Sequence, residues 1–356
     1  MKKLSATQMC STKHSSEVRI IDPCEDAAYN EWIVSSRDCT IFHSPNWAKL
    51  LSESYRYGPR YFTLYRDGEI KACLPVMEVN SLLTGRRGVS LSFSDYCQAI
   101  VAGEDEFKLL FKSVLDYGQS QRWRHAEFRG EPLLAEEVPC NEFVQHTLQL
   151  REEGLMYSKL RNSSARNIHK AIKEGVQIDI GNDLAGVLSF YRLHCLTRKR
   201  QGLPPQPRTY FMNLHKFLLA EGLGFTALAQ YEGKTIAGLV CLHYGSNAIY
   251  KYGASDEKYQ NLRANNLLFW EMIKKCTHDG FKSLSLGRTD LSNNGLLLFK
   301  DGWGGARDHL SYHRYDFRKK AFAAQQNQFR RYEAYLRKLP VGVLRVLGHL
   351  GYRHMG

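Results

Sequence analysis

Long hydrophobic runs are missing from this chain of 356 residues. No window approaches the roughly 18 uninterrupted apolar residues that a membrane-spanning helix needs, so none is expected. The opening MKKLSATQMCSTKHSS places two lysines ahead of no apolar run. It does not read as a secretory signal, and residues 1–16 are expected to be disordered. Paired cysteines are also missing. The nearest two of nine, Cys10 and Cys24, stand 14 residues apart, with no CxxC and no Cys/His spacing for zinc. Cysteines set among apolar residues, as in KACLPV and GLVCLHY, read as reduced core thiols in a reducing, cytoplasmic compartment. The 13 histidines are dispersed and form no HExxH, so no metal is expected.

What is present is a globular composition, 43% hydrophobic and 24% charged, long enough for two domains. The net charge is +13, and the segment from Arg314 to Gly356 holds ten Arg/Lys against two Asp/Glu. Its end, LRKLPVGVLRVLGHLGYRHMG, mixes apolar and basic residues. It reads either as a basic helical segment resting on an anionic membrane face or as a solvated helix covering the core. Residues 310–356 are accordingly expected to be helical.

Two stretches repeat one pattern. YFTLYRDGEIKACLPVMEV (Tyr61 to Val79) and FTALAQYEGKTIAGLVCLHYG (Phe225 to Gly245) each read as strand, tight turn, strand, with Asp67-Gly68 and Glu232-Gly233 as hairpin signals. Aligned on the glycines, Ala72 and Ala237 coincide. An amphipathic helix and a further strand follow in each half: EDEFKLLFKSVLDYGQSQRW then RHAEFRGE, and ANNLLFWEMIKKCTHDGF then KSLSLGRTD. The order argues for α/β architecture in two similar units, each a mixed, mostly antiparallel sheet flanked by helices. The first is expected over 17–150, completed by part of 310–356, and the second over 151–309.

That order resembles two tandem GNAT-like (acyl-CoA N-acyltransferase) domains. With FHSPNWAKLL, SFSDYC, RNIHKAIKEGV and LLLFKDGWGG, the chain from Ile41 to Gly305 is similar to the FemAB-like family. These are the peptidoglycan interpeptide-bridge aminoacyltransferases and related proteins with a biosynthesis-type acetyltransferase-like domain. The tRNA-loading members often carry a long two-helix arm in the second domain. No such arm is visible here, so the chain looks closer to the compact relatives found near exopolysaccharide and envelope-glycan genes.

N-acylation needs a positioned amine, a proton acceptor and a stabiliser for the oxyanion, and no acyl-enzyme. The missing Ser-His-Asp or Cys-His motif therefore does not exclude it. Asp95, in SLSFSDYCQA, reads as a carboxylate that orients or deprotonates the acceptor, or as a turn residue. Its neighbour Tyr96 reads as a sugar contact or a half-buried structural tyrosine. The resemblance puts Lys300, of the Phe299-Lys300 pair, at the reaction centre, stabilising charge on the carbonyl; an end-of-strand lysine reaching solvent is the alternative. Tyr250 and Tyr252 alternate on a strand and are expected on one side, where one of them reads as an acid or substrate contact or both as core packing. Arg161, Arg166 and Lys170 read as a diphosphate clamp or an ordinary basic face, Trp47 as a glycan flank or core anchor, and Arg288 as an anion contact.

The stretch SDEKYQNLRAN, where a phosphate-binding turn belongs, contains no glycine. Asn261, Arg263 and Asn265 would have to contact a phosphate by side chains. No tightly bound cofactor is expected, and the donor is left open between acyl-CoA and aminoacyl-tRNA. The expected function is acyl or aminoacyl transfer to an amine of an envelope glycan or peptidoglycan precursor, in the cytoplasm or peripheral on the inner membrane face. The alternatives are a tRNA-dependent Fem-type bridge aminoacyltransferase and a non-catalytic, membrane-associated glycan-binding protein.

Overall fold

A computed structural model describes residues 16–324 and 333–356; the expectation for the first 15 residues lies outside these. The strands are β1 (Ser16–Ile21), β2 (Gly58–Arg66), β3 (Glu69–Ser81), β4 (Gly85–Ser90), β5 (His125–Arg129), β6 (Pro139–Gln149), β7 (Gln177–Gly181), β8 (Gly224–Tyr231), β9 (Lys234–Tyr244), β10 (Asn247–Ser255), β11 (Ser283–Asp290), β12 (Ala306–Asp316) and β13 (Ala321–Phe322). The helices are α1 (Ala27–Ser35), α2 (Pro45–Tyr55), α3 (Glu104–Ser120), α4 (Glu153–Ser158), α5 (Asn162–Lys173), α6 (Leu184–Gln201), α7 (Arg208–Leu214), α8 (Ala264–His278), α9 (Asn294–Asp301), α10 (Glu333–Lys338) and α11 (Val341–Gly351).

The repeated hairpins are β2–β3 and β8–β9. Both turns have positive φ at both central residues, 53° and 82° at Asp67-Gly68 and 48° and 71° at Glu232-Gly233. This is the turn whose twist matches that of the flanking strands. The repeat extends to a detail the sequence hides. Lys71 and Ile236 are each left unpaired, between Ala72 and Ile70 in one hairpin and between Ala237 and Thr235 in the other, so the same bulge recurs at the same place.

All strands join one sheet, ordered β1-β2-β3-β4-β5-β12-β6-β11-β10-β9-β8-β7, with β13 on β12. The centre is an exchange. β6, which follows the first half in sequence, bonds to β11 of the second half, and β12, which follows the second half, bonds to β5 of the first. The two exchanged strands bond to each other from Ala306↔Thr147 to His313↔Pro139. The segment expected to be helical from residue 310 therefore begins as strand. Leu310 and Tyr312 alternate with half-exposed or exposed His309 and Ser311, a period of two. Among the described residues that follow, the helices are α10 and α11.

Three large apolar clusters fill the layers. One packs α3 on the first half and one packs α5 and α8 on the second. The third is shared: Tyr29, Trp47 and Tyr55 of the first half meet Phe190, Tyr210 and Phe211 of the second. Eight described cysteines are free thiols, seven of them buried. No helix among the described residues is long and apolar enough to cross a membrane.

Gly68 and Gly233 have nothing within 4 Å of where a Cβ would sit. Gly233→Ala and Gly68→Ala therefore isolate backbone strain, and each is expected to cost about 1–2 kcal/mol in urea unfolding.

Candidate active site where two strands part

β10 and β11 run parallel, but they pair only over Asn247↔Ser283, Ala248↔Leu284 and Ile249↔Ser285. Beyond that point each strand bulges. Lys251 drops out of the β10–β9 register, and Leu286-Gly287 drop out of the β11–β6 register. Gly287 (φ 70°) passes so close to β10 that a Cβ there would stand 3.1 Å from the Tyr250 carbonyl oxygen. The gap between the strands is where charged side chains gather.

Lys251 donates to Asp95 Oδ2 at 2.8 Å and to the Phe93 carbonyl at 2.7 Å. Its ammonium also stands 5.1, 5.7 and 5.3 Å from the ring centroids of Phe42, Trp47 and Tyr252, an arrangement that favours a cation. Burial pushes the Lys251 ammonium down from its ordinary range and Asp95 opposes the shift. Burial alone would raise Asp95, but Lys251, Arg288 and Lys300 outweigh it and hold the carboxyl below the usual range. Asp95 is therefore ionised and its charge is engaged by Lys251, a poor arrangement for a general base.

The loop carrying Asp95 is fixed from several sides. Arg129, paired with Glu127 at 2.9 Å, donates to the carbonyls of Leu91 and Ser94, and Tyr312 donates to the Asp95 carbonyl. Phe93 is held at φ 61°, a left-handed conformation that a phenylalanine adopts at a cost of roughly 1–2 kcal/mol. Such strain persists where surroundings over-determine it.

Lys300 is 2% exposed. It lies in α9, not at a strand end or in a loop, because the Asn293 side chain accepts from Leu296 N–H and starts a helix there. Its Nζ donates to the carbonyls of Gly287 (2.8 Å) and Arg288 (3.3 Å), and burial, partly offset by Asp95, pushes it down to about 8. An ammonium has three donors, so one stays uncommitted by these bonds. Arg288 lies over the rings of Phe143 (4.5 Å) and Tyr312 (5.0 Å). Asp95 thus faces three cations, and the centre has a surplus of positive charge.

The structure brings Asp95, Arg288 and Lys300 together and adds Lys251, Arg129 and Tyr312, which the sequence reading passed over. A lysine inside the apolar strand IYKYGA was the available signal. Tyr250 and Tyr252 do not share a side. The bulge at Lys251 reverses the alternation, so Tyr250 packs on Phe269 at 4.5 Å while Tyr252 joins the opposite cluster, its hydroxyl 2.8 Å from that of Tyr210. Burial raises both hydroxyls above their ordinary range, and at Tyr252 the Tyr210 contact acts in the same direction. Trp47 is a core residue, fully buried and edge-on to Phe42. Tyr96 is half-buried against Phe42, with burial pushing its hydroxyl up to about 12. Arg166 and Lys170 stand exposed on α5 and share no contact with the centre, so they form no clamp there. Arg161 donates instead to the Leu298 carbonyl of α9.

A cleft of about 450 Å³ opens beside the gap, lined by Tyr250, Gly253, Asn265, Phe269, Leu296 and Phe299. A smaller pocket of about 130 Å³ adjoins it at the start of α8, lined by Arg263, Ala264, Asn265 and Asn266. Arg263, at φ 59°, takes the backbone position for which a glycine would be the easier choice. Asn261 lines neither cavity. Among the described residues no three His, Cys, Asp or Glu converge as a metal site.

The buried pair makes a direct test. Lys251→Met leaves Asp95 buried without its cation and is expected to cost about 3–5 kcal/mol in urea unfolding. Adding Asp95→Asn to that variant should cost less than the sum of the two single changes, by more than about 1 kcal/mol.

Residues 158–294 match the model of an acetyltransferase (GNAT) domain. Among solved structures, FemX is 13% identical and superposes with a TM-score of 0.66, covering 84% of this chain and 97% of its own. A tandem GNAT protein from the clavulanic acid biosynthesis pathway is 10% identical, with a TM-score of 0.54 over 88% of this chain and all (100%) of its own. L-PGS from Bacillus licheniformis is 12% identical, with a TM-score of 0.53 over 88% and 96%. No curated protein matches the sequence. Residues 158–294 thus match a GNAT domain, and the chain as a whole has the tandem GNAT fold.

Proposed function

We propose that this protein transfers an acyl or aminoacyl group to an amine of a cell-envelope glycan or peptidoglycan precursor. The observation that carries the reading is the parting of β10 from β11. It places an open cleft on one side of the gap and a buried, cation-rich centre at its end. The matched acetyltransferase domain supports acyl transfer, and the resemblance of the sequence motifs to the FemAB-like family supports an envelope acceptor.

In this reading an activated carbonyl, a coenzyme A thioester or an aminoacyl ester, enters along the cleft beside α8. The acceptor nitrogen attacks the carbonyl carbon and the C–N bond forms. The C–S or C–O bond to the carrier then breaks, and the proton lost by the amine leaves with the carrier's thiol or hydroxyl. Lys300 stabilises the oxyanion through its uncommitted N–H. Asp95 holds Lys251 and sets the potential of the centre rather than taking the proton. Phe299, with its ring 4.8 Å from Phe269, forms part of the cleft wall. Asn265 and Arg263 meet the carrier's phosphates at the start of α8, where the helix dipole favours an anion.

Mass spectrometry of envelope glycans and precursors from cells with and without the gene tests the reading. A mass difference on an amino sugar or stem peptide is expected, restored by the wild-type gene but not by Lys300→Ala. Restoration by Lys300→Ala would overturn the assignment of Lys300. With donor and acceptor so named, transfer by the purified protein should fall at least 100-fold in Lys300→Ala. A cationic Lys300 is present below its pKa and lost above it. The wild-type rate should therefore decline as pH rises through about 8.

A further inference from the structure

The C-terminal helix α11 presents its apolar stripe outward. Leu344 and Gly348 are buried against the body, and a Cβ on Gly348 would stand 1.9 Å from the Pro205 carbonyl oxygen. That tight seat fixes which face is left over. Val343, Val346, Leu347 and Leu350 occupy i, i+3, i+4 and i+7 and are 44%, 58%, 40% and 61% exposed. Four apolar side chains at this spacing form one continuous face in water.

The surroundings of the stripe are basic. Two grooves flank it. One, of about 320 Å³, is lined by Val346, Leu350 and Tyr191 with Arg208 and Arg345. The other, of about 170 Å³, is lined by Leu350, Tyr55 and Thr209 with Arg56 and Arg353. All four arginines are exposed, and among the described residues none forms an ion pair with a carboxylate. Arg345 lies over the ring of Tyr191 at 5.7 Å. From Ala334 to Gly356 the sequence has four Arg/Lys and no Asp or Glu.

We infer that α11 is a membrane-docking helix, seated at the interface of a bilayer rich in anionic phospholipid. Val343, Val346, Leu347 and Leu350 enter the acyl boundary, and the two arginine pairs take phosphodiester headgroups in the grooves. Apolar area and cations on one helix face are the combination that an anionic bilayer surface rewards. A second protein copy would instead have to bury eight unpaired arginines from two such faces, which is unfavourable. The seat also reaches the candidate active site. Tyr352, just past α11, lies 5.8 Å from Phe93, whose carbonyl accepts from Lys251. A docked α11 therefore holds the acyl-transfer centre close to the bilayer. The docking itself does not depend on the proposed reaction.

The test is sedimentation of the full chain with vesicles of phosphatidylcholine alone or with ~30% phosphatidylglycerol. Binding is expected to the anionic vesicles only, and to weaken at 0.5 M salt. Val346→Ser with Leu350→Ser, and separately Arg208→Gln with Arg345→Gln, should each weaken it at least tenfold while circular dichroism and Tm stay unchanged. Lys170→Gln with Lys173→Gln, on exposed positions of α5, which packs on α8 and not on the α6 side of the sheet where α11 lies, should change it less than twofold. No binding, or binding undiminished by the α11 variants, would overturn the inference. So would an equal loss in the Lys170/Lys173 variant, which would mean that net charge alone drives binding. A lipid-free dimer, seen by sedimentation equilibrium and abolished by Val346→Ser with Leu350→Ser, would also overturn it. Protection of Arg345 from modification by inorganic phosphate, without vesicle binding, would assign the grooves to a free anion instead.

Discussion

The buried contact between Asp95 and Lys251 is the constraint around which the centre of this molecule is built. One partner comes from a loop of the first half and the other from a strand of the second. Neither charge is tolerable alone at that depth. The loop must therefore be held rigidly, which explains why Arg129, Tyr312 and Lys251 all bond to its carbonyls and why Phe93 accepts a left-handed backbone. The strand must bulge, because a regular strand would keep Lys251 in the ladder with β9 instead of turned toward Asp95. The aromatic rings around the ammonium then lower the penalty for its burial.

A pair that spans two halves also requires that the halves do not slide. The exchange of β6 and β12 supplies this. Their ladder runs the length of the midline, and each is bonded on its outer side to the other half's neighbour strand. The shared aromatic cluster, in which α2 lies against α7, closes the same seam from one face. Arg129, Tyr312 and Arg288 come from β5, β12 and β11, so their relative positions follow from these ladders and not from loop conformation, and Lys300 of α9 is tied to β11 by its bonds to the Gly287 and Arg288 carbonyls.

The repeat was legible because it rests on local chemistry: alternating apolar residues, Asp-Gly and Glu-Gly turns, and the amphipathic pattern of α8, whose Leu267, Trp270 and Ile273 are buried as their spacing predicts. Asp95 and Lys300 were legible as charged residues in unusually apolar or small-residue surroundings. What could not be read was anything decided by a single unpaired residue. The bulge at Lys251 adds no sequence signature of its own, yet it sends Tyr250 and Tyr252 to opposite faces and hands the lysine to Asp95. The strand nature of 310–316 was masked by the basic composition of the segment in which it lies. Trp47, open in the sequence between a glycan flank and a core anchor, is the core anchor: the Ser44 cap that starts the helix turns the indole into the shared core.

The two halves are alike in fold but not in what they leave open. In the second half the strands β10 and β11 diverge and a cleft remains between them and α8. In the first half β4 and β5 stay paired to Ser90↔Phe128, and the following residues continue the sheet: Cys97 donates to the Arg129 carbonyl and Ile100 pairs with Cys73. The chain between them is the loop that delivers Asp95. The space that serves as a cleft in one half is thus filled in the other by the segment that completes the centre. On the proposed reading this gives one donor cleft per chain, in the half that the acetyltransferase model matches, with the other half acting as its wall and counter-charge. It also explains why SDEKYQNLRAN manages without glycine. On the same proposal, with Arg263 in the left-handed position and Asn265 beside it, the start of α8 would meet the carrier through side chains, a looser grip suited to a carrier also held along the cleft wall by Phe299 and Phe269.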